Sequence, residues 1–295
     1  MYDVLIIGGG AAGMTAGLYA VRAGLKALII EKGFAGGQAS TTNWIENYPG
    51  FPEGIGGPEL MMKFQEQAER AGCEFAWEDV EKAELKGEIK RVNGYEGRAV
   101  IIATGAERRK LGVPGEDMNV GRGVSYCATC DGAFYKNKTV AVIGGGNTAV
   151  EDALYLSRFA EKVYLIHRRS ELRARGSAVE RARSAAEFLL DKRAARFDRN
   201  GSGLDIIFDD GERLSVDGIF IAVGTQPITG PFRGQVEMDA AGYIAAGEDC
   251  RTSVPGVFCA GDCRTTPLRQ VITAAADGAV AANAASIWLD EQPAK

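Results

Sequence analysis

The sequence predicts an α/β protein of two domains with parallel, doubly wound sheets. Its 295 residues exceed what one compact core usually organises. Strand-like and helix-like segments alternate, which favours parallel sheets with helical crossovers. The pattern also occurs twice: two β-α-β units, each followed later by a hydrophobic strand that ends in a glycine-containing turn.

The first unit reads as strand DVLIIG, a glycine turn, helix AAGMTAGLYAVRAG and strand KALIIEKG. GPELMMKFQEQAERAG has helical apolar spacing and stops at Gly72, and AVIIATGA is the later hydrophobic strand. LGVPGEDMNVGRG shows no periodicity and is expected to be a connector. The second unit is KTVAVIGG, NTAVEDALYLSRFA and KVYLIHRR, with RLSVDGIFIAVGT reading as turn then strand. The last segment, GVFCAGDCRTTPLRQVITAAADGAVAANAASIWL, is a short strand, a loop and a long alanine-rich helix. The arginine-rich run RRSELRARGSAVERARSAAEFLLDKRAARFDR is expected to be a solvated helical face.

Composition excludes several function classes. With 46% hydrophobic and 25% charged residues the chain is an ordinary globular one, and its 39 glycines indicate tight turns between apolar runs. A net charge of -5 gives no electrostatic reason to bind nucleic acid or an anionic membrane. No apolar run is read as long enough to span a bilayer, and MYDVLIIGGG enters a strand at once, leaving no room for a signal peptide. Six cysteines without a secretory signal point to a reducing compartment, so a cytoplasmic location is expected. The chain has one histidine, His167, so any imidazole chemistry must use it.

In IIGGGAAG, Gly8, Gly10 and Gly13 fit G-x-G-x-x-G between a strand and a helix. The first glycine permits the turn, the second lets the backbone approach a pyrophosphate, and the third lets helix and strand pack closely. Glu31 ends the next strand, where a ribose hydroxyl needs an acceptor, which favours FAD or NAD. In VIGGGNTA, Gly144, Gly146 and Ala149 give the G-x-G-x-x-A variant. Here the next strand ends in His167, Arg168 and Arg169, with Arg173 close behind. Guanidinium groups match a 2′-phosphate bidentately, so this site favours NADP(H). Two different dinucleotides in one chain imply hydride passage from a nicotinamide to a flavin.

Cys127 and Cys130, in SYCATCDG, make a Cys-x-x-Cys before the second glycine turn. A working redox pair is the reading that suits the two nucleotide sites. Zinc is the competitor, and it would need two more ligands, such as Cys259 and Cys263, whose C-x-x-x-C spacing is not a usual knuckle. Disulfide reduction also needs an acid to protonate the leaving sulfur. Asp131, beside Cys130, is the candidate, and a helix N-cap is its alternative role. Cys73 and Cys250 read as ordinary small residues.

These motifs, with GGQASTTNWIENYPGFP, IIATGA, LIHRRSELRA, GIFIAVG and VPGVFCAGDCRTTPLRQVITAAADGAVAA, occur in one order along almost the whole chain. The sequence resembles the low-molecular-weight bacterial type of thioredoxin reductase, a class of pyridine nucleotide-disulfide oxidoreductase. The resemblance implies two Rossmann-like, three-layer ββα domains, the second inserted into the first. Residues 1–109 and 237–295 would bind FAD, and residues 110–236 would bind NADPH and carry the redox pair. The family pattern sets Gly8, Gly10, Ala11, Ala12, Gly13, Glu31, Lys32, Gly36, Gly37, Gln38 and Asn47 against FAD. Ala103, Thr104, Gly105, Gly261, Asp262, Arg269 and Gln270 would complete that site. Gly144, Gly146, Asn147, Thr148, Ala149, His167, Arg168, Arg169 and Arg173 would hold NADPH.

It further implies a homodimer reducing thioredoxin or a thioredoxin-like protein, with Cys130 toward the flavin and Cys127 attacking the substrate. The cysteines must meet both the flavin and a protein, so the NADPH domain is expected to rotate, with ERRKLGVPG and TQPITGPF as hinges. An FAD-dependent dithiol oxidase or a ferredoxin-linked reductase is the alternative within this chemistry. A nucleotide-binding regulatory module with a zinc-stabilised connector is the alternative outside it. Cys259 and Cys263 depart from the family pattern, and two stretches, before AVIIATGA and before GIFIAVG, are expected to be trimmed surface hairpins.

Overall fold

A computed structural model describes residues 1–292 and divides the chain into two compact units, Met1–Glu107 with Gln226–Lys295, and Arg108–Thr225. The chain leaves the first unit two residues before the expected boundary. It returns at 225/226 rather than 236/237, because Phe232 and Val236 are buried in the first unit's core beside Leu5 and Ile7.

In the first unit, β1 (Tyr2–Ile7), α1 (Ala11–Arg22) and β2 (Ala27–Glu31) form the expected β-α-β unit. After α2 (Gly57–Arg70) come β3 (Glu74–Trp77), a hairpin of β4 (Ala83–Glu84) and β5 (Lys90–Val92), and β6 (Tyr95–Ile102). The sheet runs β3-β2-β1-β6 in parallel and continues antiparallel through β5 and β4. Alternation along the strands divides two cores. Val4, Ile6, Ile29 and Ile101 pack with the helices, while Leu5, Ile7, Ile30 and Ile102 pack with the opposite layer, including Leu85 and Val92. Burial on both faces explains the unbroken apolar runs LII and VII.

The chain crosses between units in β7 (Ala106–Arg108) and β16 (Thr225–Pro227), which pair as a two-stranded ribbon. Between them, β8 (Val124–Ser125), the short α3 (Ala128–Asp131), β9 (Thr139–Gly144), α4 (Asn147–Leu156) and β10 (Lys162–Ile166) begin the second unit. The arginine-rich run is helical only in α5 (Ser177–Ala185). It then turns into β11 (Glu187–Leu189) and β12 (Ala194–Asn200), with Asp191 in the left-handed region at φ 54°. β13 (Gly203–Phe208), β14 (Arg213–Val216) and β15 (Gly218–Ala222) complete the unit. Its parallel sheet runs β11-β10-β9-β15-β8, and β12-β13-β14 form a separate antiparallel sheet. Val140 and Val142 face the helices, whereas Ala141 and Ile143 face Phe197, Leu204 and Ile206 of that second sheet. Both units are thus ββα sandwiches, and both stretches expected to be trimmed keep an antiparallel hairpin.

Back in the first unit, β17 (Val257–Cys259) pairs with β6. The last helix, α6 (Val271–Asp290), is by length and composition apolar enough to cross a membrane, contrary to the sequence reading. It packs on α1: its Ala281 and Ala285 are fully buried in the core that includes Ala12 and Ala16, and a Cβ at Gly278 would strike the Ala12 backbone. Small residues make the approach possible, which accounts for the alanine content.

Candidate active site

The redox pair lies in the second unit. β8 delivers the chain to Cys127, which caps the four-residue α3, and Cys127 and Cys130 are joined with Cα atoms 5.3 Å apart. Both are half-buried. The buried Ser125 connects pair and acid: its hydroxyl accepts the Cys127 N–H at 3.0 Å and donates to Asp131 at 2.6 Å. Asp131 makes no side-chain cap bond to the 3-10 turn Gly132–Tyr135 that follows, so its carboxylate is occupied by Ser125 rather than by capping. The Cys127 sulfur accepts the Cys130 N–H at 3.2 Å and lies 3.4 Å from the Thr129 hydroxyl. Among the described residues, no group of three or more His, Cys, Asp or Glu side chains is arranged to hold a metal ion.

In the first glycine turn, Gly8 has φ 106°, and a Cβ there would strike the Ala103 carbonyl oxygen at the end of the neighbouring strand. A Cβ at Gly13 would strike the Gly8 carbonyl oxygen, whereas one at Gly10 would enter open space. Gly10 begins α1 without a side-chain cap, which leaves the helix N-terminus facing that space. Glu31 accepts the Gly9 N–H at 2.6 Å. The Gly36 N–H donates to the Gly9 carbonyl at 2.7 Å, drawing the segment with Gly37 and Gln38 to the turn. Asn47 donates to Gln270 at 3.0 Å, joining residues 223 apart in sequence. The Arg269 guanidinium donates to the Asp262 carbonyl at 3.3 Å and stacks on Tyr243. Thr104 donates to Ile228 at 2.6 Å beside Gly105. Gly8, Glu31, Lys32 and Thr104 line a cavity of about 80 Å³. Open space over Gly10, an uncapped helix start and an acid at the strand end fit a dinucleotide.

The second turn repeats this plan with different contacts. A Cβ at Gly144 would strike Ala222 at the neighbouring strand's end and come 2.7 Å from the Ala149 methyl. Gly146 begins α4, again uncapped, with Asn147 and Thr148 exposed in its first turn. Arg173 returns to the turn through its N–H, 2.7 Å from the Gly145 carbonyl. Arg168, Arg169 and Arg173 are exposed, but His167 is buried, its ring where a Gly145 side chain would go. Its Nε2 has no hydrogen-bond partner among the described residues. Burial, then Arg169, Arg168 and Arg173, lowers its pKa, so it is neutral at pH 7 and is not one of the cations. The exposed guanidinium groups and the open helix start fit a phosphorylated nucleotide.

The sequence matches the family described as pyridine nucleotide-disulphide oxidoreductase over residues 2–278. The chain belongs to that family. A Bacillus subtilis relative named thioredoxin reductase is 44% identical, over 99% of this chain and 96% of its own length. One from Mycolicibacterium smegmatis, with the same name, is 45% identical over 99% and 98%. The crystal structure of thioredoxin reductase from Streptococcus pyogenes superposes with a TM-score of 0.93 at 43% identity, covering 99% of both chains. The Lactococcus lactis enzyme, described as the FR conformation, gives 0.67 at 42% identity over 99% and 100%.

Two features of this family member were not read from sequence. Glu78, Asp79 and Val80 line the cavity with Glu31 because they follow β3, which is parallel to β2, so its end opens on the same crevice. The strand signal of EFAW followed by two acids could have revealed them. Ser125 had no signal, since its role depends on a turn that brings residue 131 back to it.

Proposed function

We propose that this chain is an NADPH-dependent thioredoxin reductase. The observation that carries the reading is the Cys127–Cys130 disulfide, set in the same unit as one of two dinucleotide turns. Relatives of that name matching along 99% of the chain support it. FAD and NADPH, when bound, supply the electron pair that reduces the disulfide.

In this reading the first unit is the FAD domain. The α1 N-terminus faces the pyrophosphate, Glu31 takes a ribose hydroxyl, and Asn47, Asp262, Arg269 and Gln270 fix the rest. The second unit is the NADPH domain, with Arg168, Arg169 and Arg173 on the 2′-phosphate. Once reduced, Cys127 is the attacking thiolate, favoured by the N–H of Cys130 that its sulfur already accepts. It attacks the thioredoxin disulfide, forming a mixed disulfide and releasing one substrate sulfur. Asp131 supplies the proton that sulfur needs, with Ser125 orienting the carboxyl. Cys130 then attacks Cys127, restoring their bond and releasing the second substrate thiol.

Rotation of the NADPH domain between half-reactions belongs to the same proposal. Both crossings lie in the expected hinges, at 107/108 and 225/226. Two solved relatives nearly equal in identity, 43% and 42%, match at TM-scores of 0.93 and 0.67, a gap that sequence distance does not explain. The enzyme is proposed to be a cytoplasmic homodimer, and exposed Phe34, Trp44, Met62 and Ile272 on the first unit supply apolar surface for it. Anaerobic titration tests the reading. NADPH should bleach the flavin absorbance of the yellow protein, and added thioredoxin should restore it. Bleaching by another donor but not by NADPH would favour the oxidase or ferredoxin-linked alternative.

A further inference from the structure

Cys259 and Cys263 take no part in the chemistry above, yet both are fully buried with their sulfurs 3.4 Å apart. Cys259 ends β17, and Cys263 ends the 3-10 turn Gly261–Cys263 that carries Asp262. The two sulfurs are chemically unlike. The contact with Cys259, in which either sulfur can donate, holds the Cys263 thiol below its ordinary range against the opposing effect of burial, with the Gly105 N–H adding to it. Burial pushes the Cys259 thiol well up. Cys263 is therefore the more readily deprotonated of the two, its thiol directed at the Ala260 carbonyl at 3.4 Å and the Ile102 carbonyl at 3.6 Å. The third cysteine nearby, Cys250, is tied instead to the Asp277 carbonyl at 3.5 Å.

We propose that Cys259 and Cys263 form a second thiol–disulfide couple, closed by hydrogen peroxide, that pins the Gly261–Cys263 turn. The Cys263 thiolate attacks one peroxide oxygen and the O–O bond breaks. Cys263 becomes a sulfenic acid, and the departing hydroxide takes up the proton Cys263 lost, leaving as water. The Cys259 sulfur then attacks the Cys263 sulfur, the S–O bond breaks, and a second water leaves with the Cys259 proton. Two thiols give up two electrons and one peroxide accepts them. The sulfurs must close from 3.4 Å to a bond of about 2.05 Å. Thr104 lies beside Cys263 and also lines the cavity with Gly8 and Glu31, so one side chain separates the pair from that cavity. Only the consequence for flavin rests on the FAD assignment above; the cross-link does not.

Residues 252–264 form one tryptic peptide holding both cysteines and no other. Holoenzyme treated with hydrogen peroxide, denatured in iodoacetamide, digested and weighed should yield this peptide unalkylated and two hydrogens lighter. Dithiothreitol should return it to the doubly alkylated form. In Cys259→Ser, dimedone should trap Cys263 as its sulfenic acid. The cross-linked protein should release flavin roughly tenfold more slowly in mild denaturant, as expected from fixing one residue's backbone. The couple is overturned if the peptide stays doubly alkylated at a dose that has oxidised the exposed Met62 and Met118, or if Cys263 passes to sulfinic acid without a cross-link. Unchanged flavin release from cross-linked protein would overturn the pinning. Protein that never binds flavin would fault the FAD assignment while the mass measurement still judges the couple.

Discussion

The two glycine turns share one backbone plan and differ in what stands over it. In each, the first glycine abuts the end of a neighbouring parallel strand, Ala103 for Gly8 and Ala222 for Gly144. The middle glycines then part ways. Gly9 gives its N–H to the Glu31 carboxylate, while Gly145 lies beneath the buried imidazole of His167. In the proposed reading the acid at the first strand end would take a ribose hydroxyl, and the neutral ring at the second would leave the 2′-phosphate to the arginines that follow. In that reading the scaffold sets where phosphate would bind, and the residue at the next strand end sets which nucleotide it would belong to.

The third position offers the sharpest way to break this comparison. Gly13→Ala drives a methyl into the Gly8 carbonyl, an overpacking cost of about 1–3 kcal/mol or more. The variant should purify without flavin, read from its visible spectrum. The reverse change, Ala149→Gly, meets no such collision and should keep full flavin content while losing at most about 1 kcal/mol of stability. Equal behaviour of the two variants would show that the turns are not distinguished in this way.

The strand ends come next. Replacing both Arg168 and Arg169 by Ala should raise the KM for NADPH by about tenfold to a hundredfold, from the loss of charge-assisted hydrogen bonds. The KM for NADH should barely move. Equal effects on both cofactors would remove the 2′-phosphate role.

The smallest effect concerns Asp152 on α4, whose pKa burial and then Glu151 raise from 3.8 to about 7. A carboxyl with its folded pKa above its unfolded one costs stability as pH rises from about 4 to about 7, because the unfolded chain ionises first. The full shift corresponds to about 4 kcal/mol. With the half-buried carboxyl partly screened by solvent, Asp152→Asn should therefore stabilise the protein by about 2 kcal/mol at pH 8, a gain that should vanish by pH 4. Thermal melts across that range check it, and a gain independent of pH would contradict the assignment.

Much of this was legible in sequence because it is local. Gly8 to Gly13, Gly144 to Ala149 and Cys127 to Asp131 each lie within a few residues of chain, and the apolar runs report sheets buried on both faces. What was not legible depends on distant parts of the chain meeting. Phe232 and Val236 return to the core of residues 5–7, which moved the second boundary. Asp131 reads in sequence as the acid with a helix cap as its alternative, and the Ser125 contact that occupies it depends on the turn between them. His167 sits in a cationic run, and only its burial over Gly145 separates it from its arginine neighbours. The α6 helix is by length and composition apolar enough to cross a membrane, yet its small residues serve the packing against α1.

The central claim is that electrons leave through Cys127. Anaerobic mixing of the Cys127→Ser holoenzyme with NADPH and oxidised thioredoxin tests it most directly. The flavin should be bleached by NADPH as in the unsubstituted enzyme, while thioredoxin reduction falls by about a thousandfold or more. Thioredoxin reduced at an undiminished rate by that variant would contradict the account.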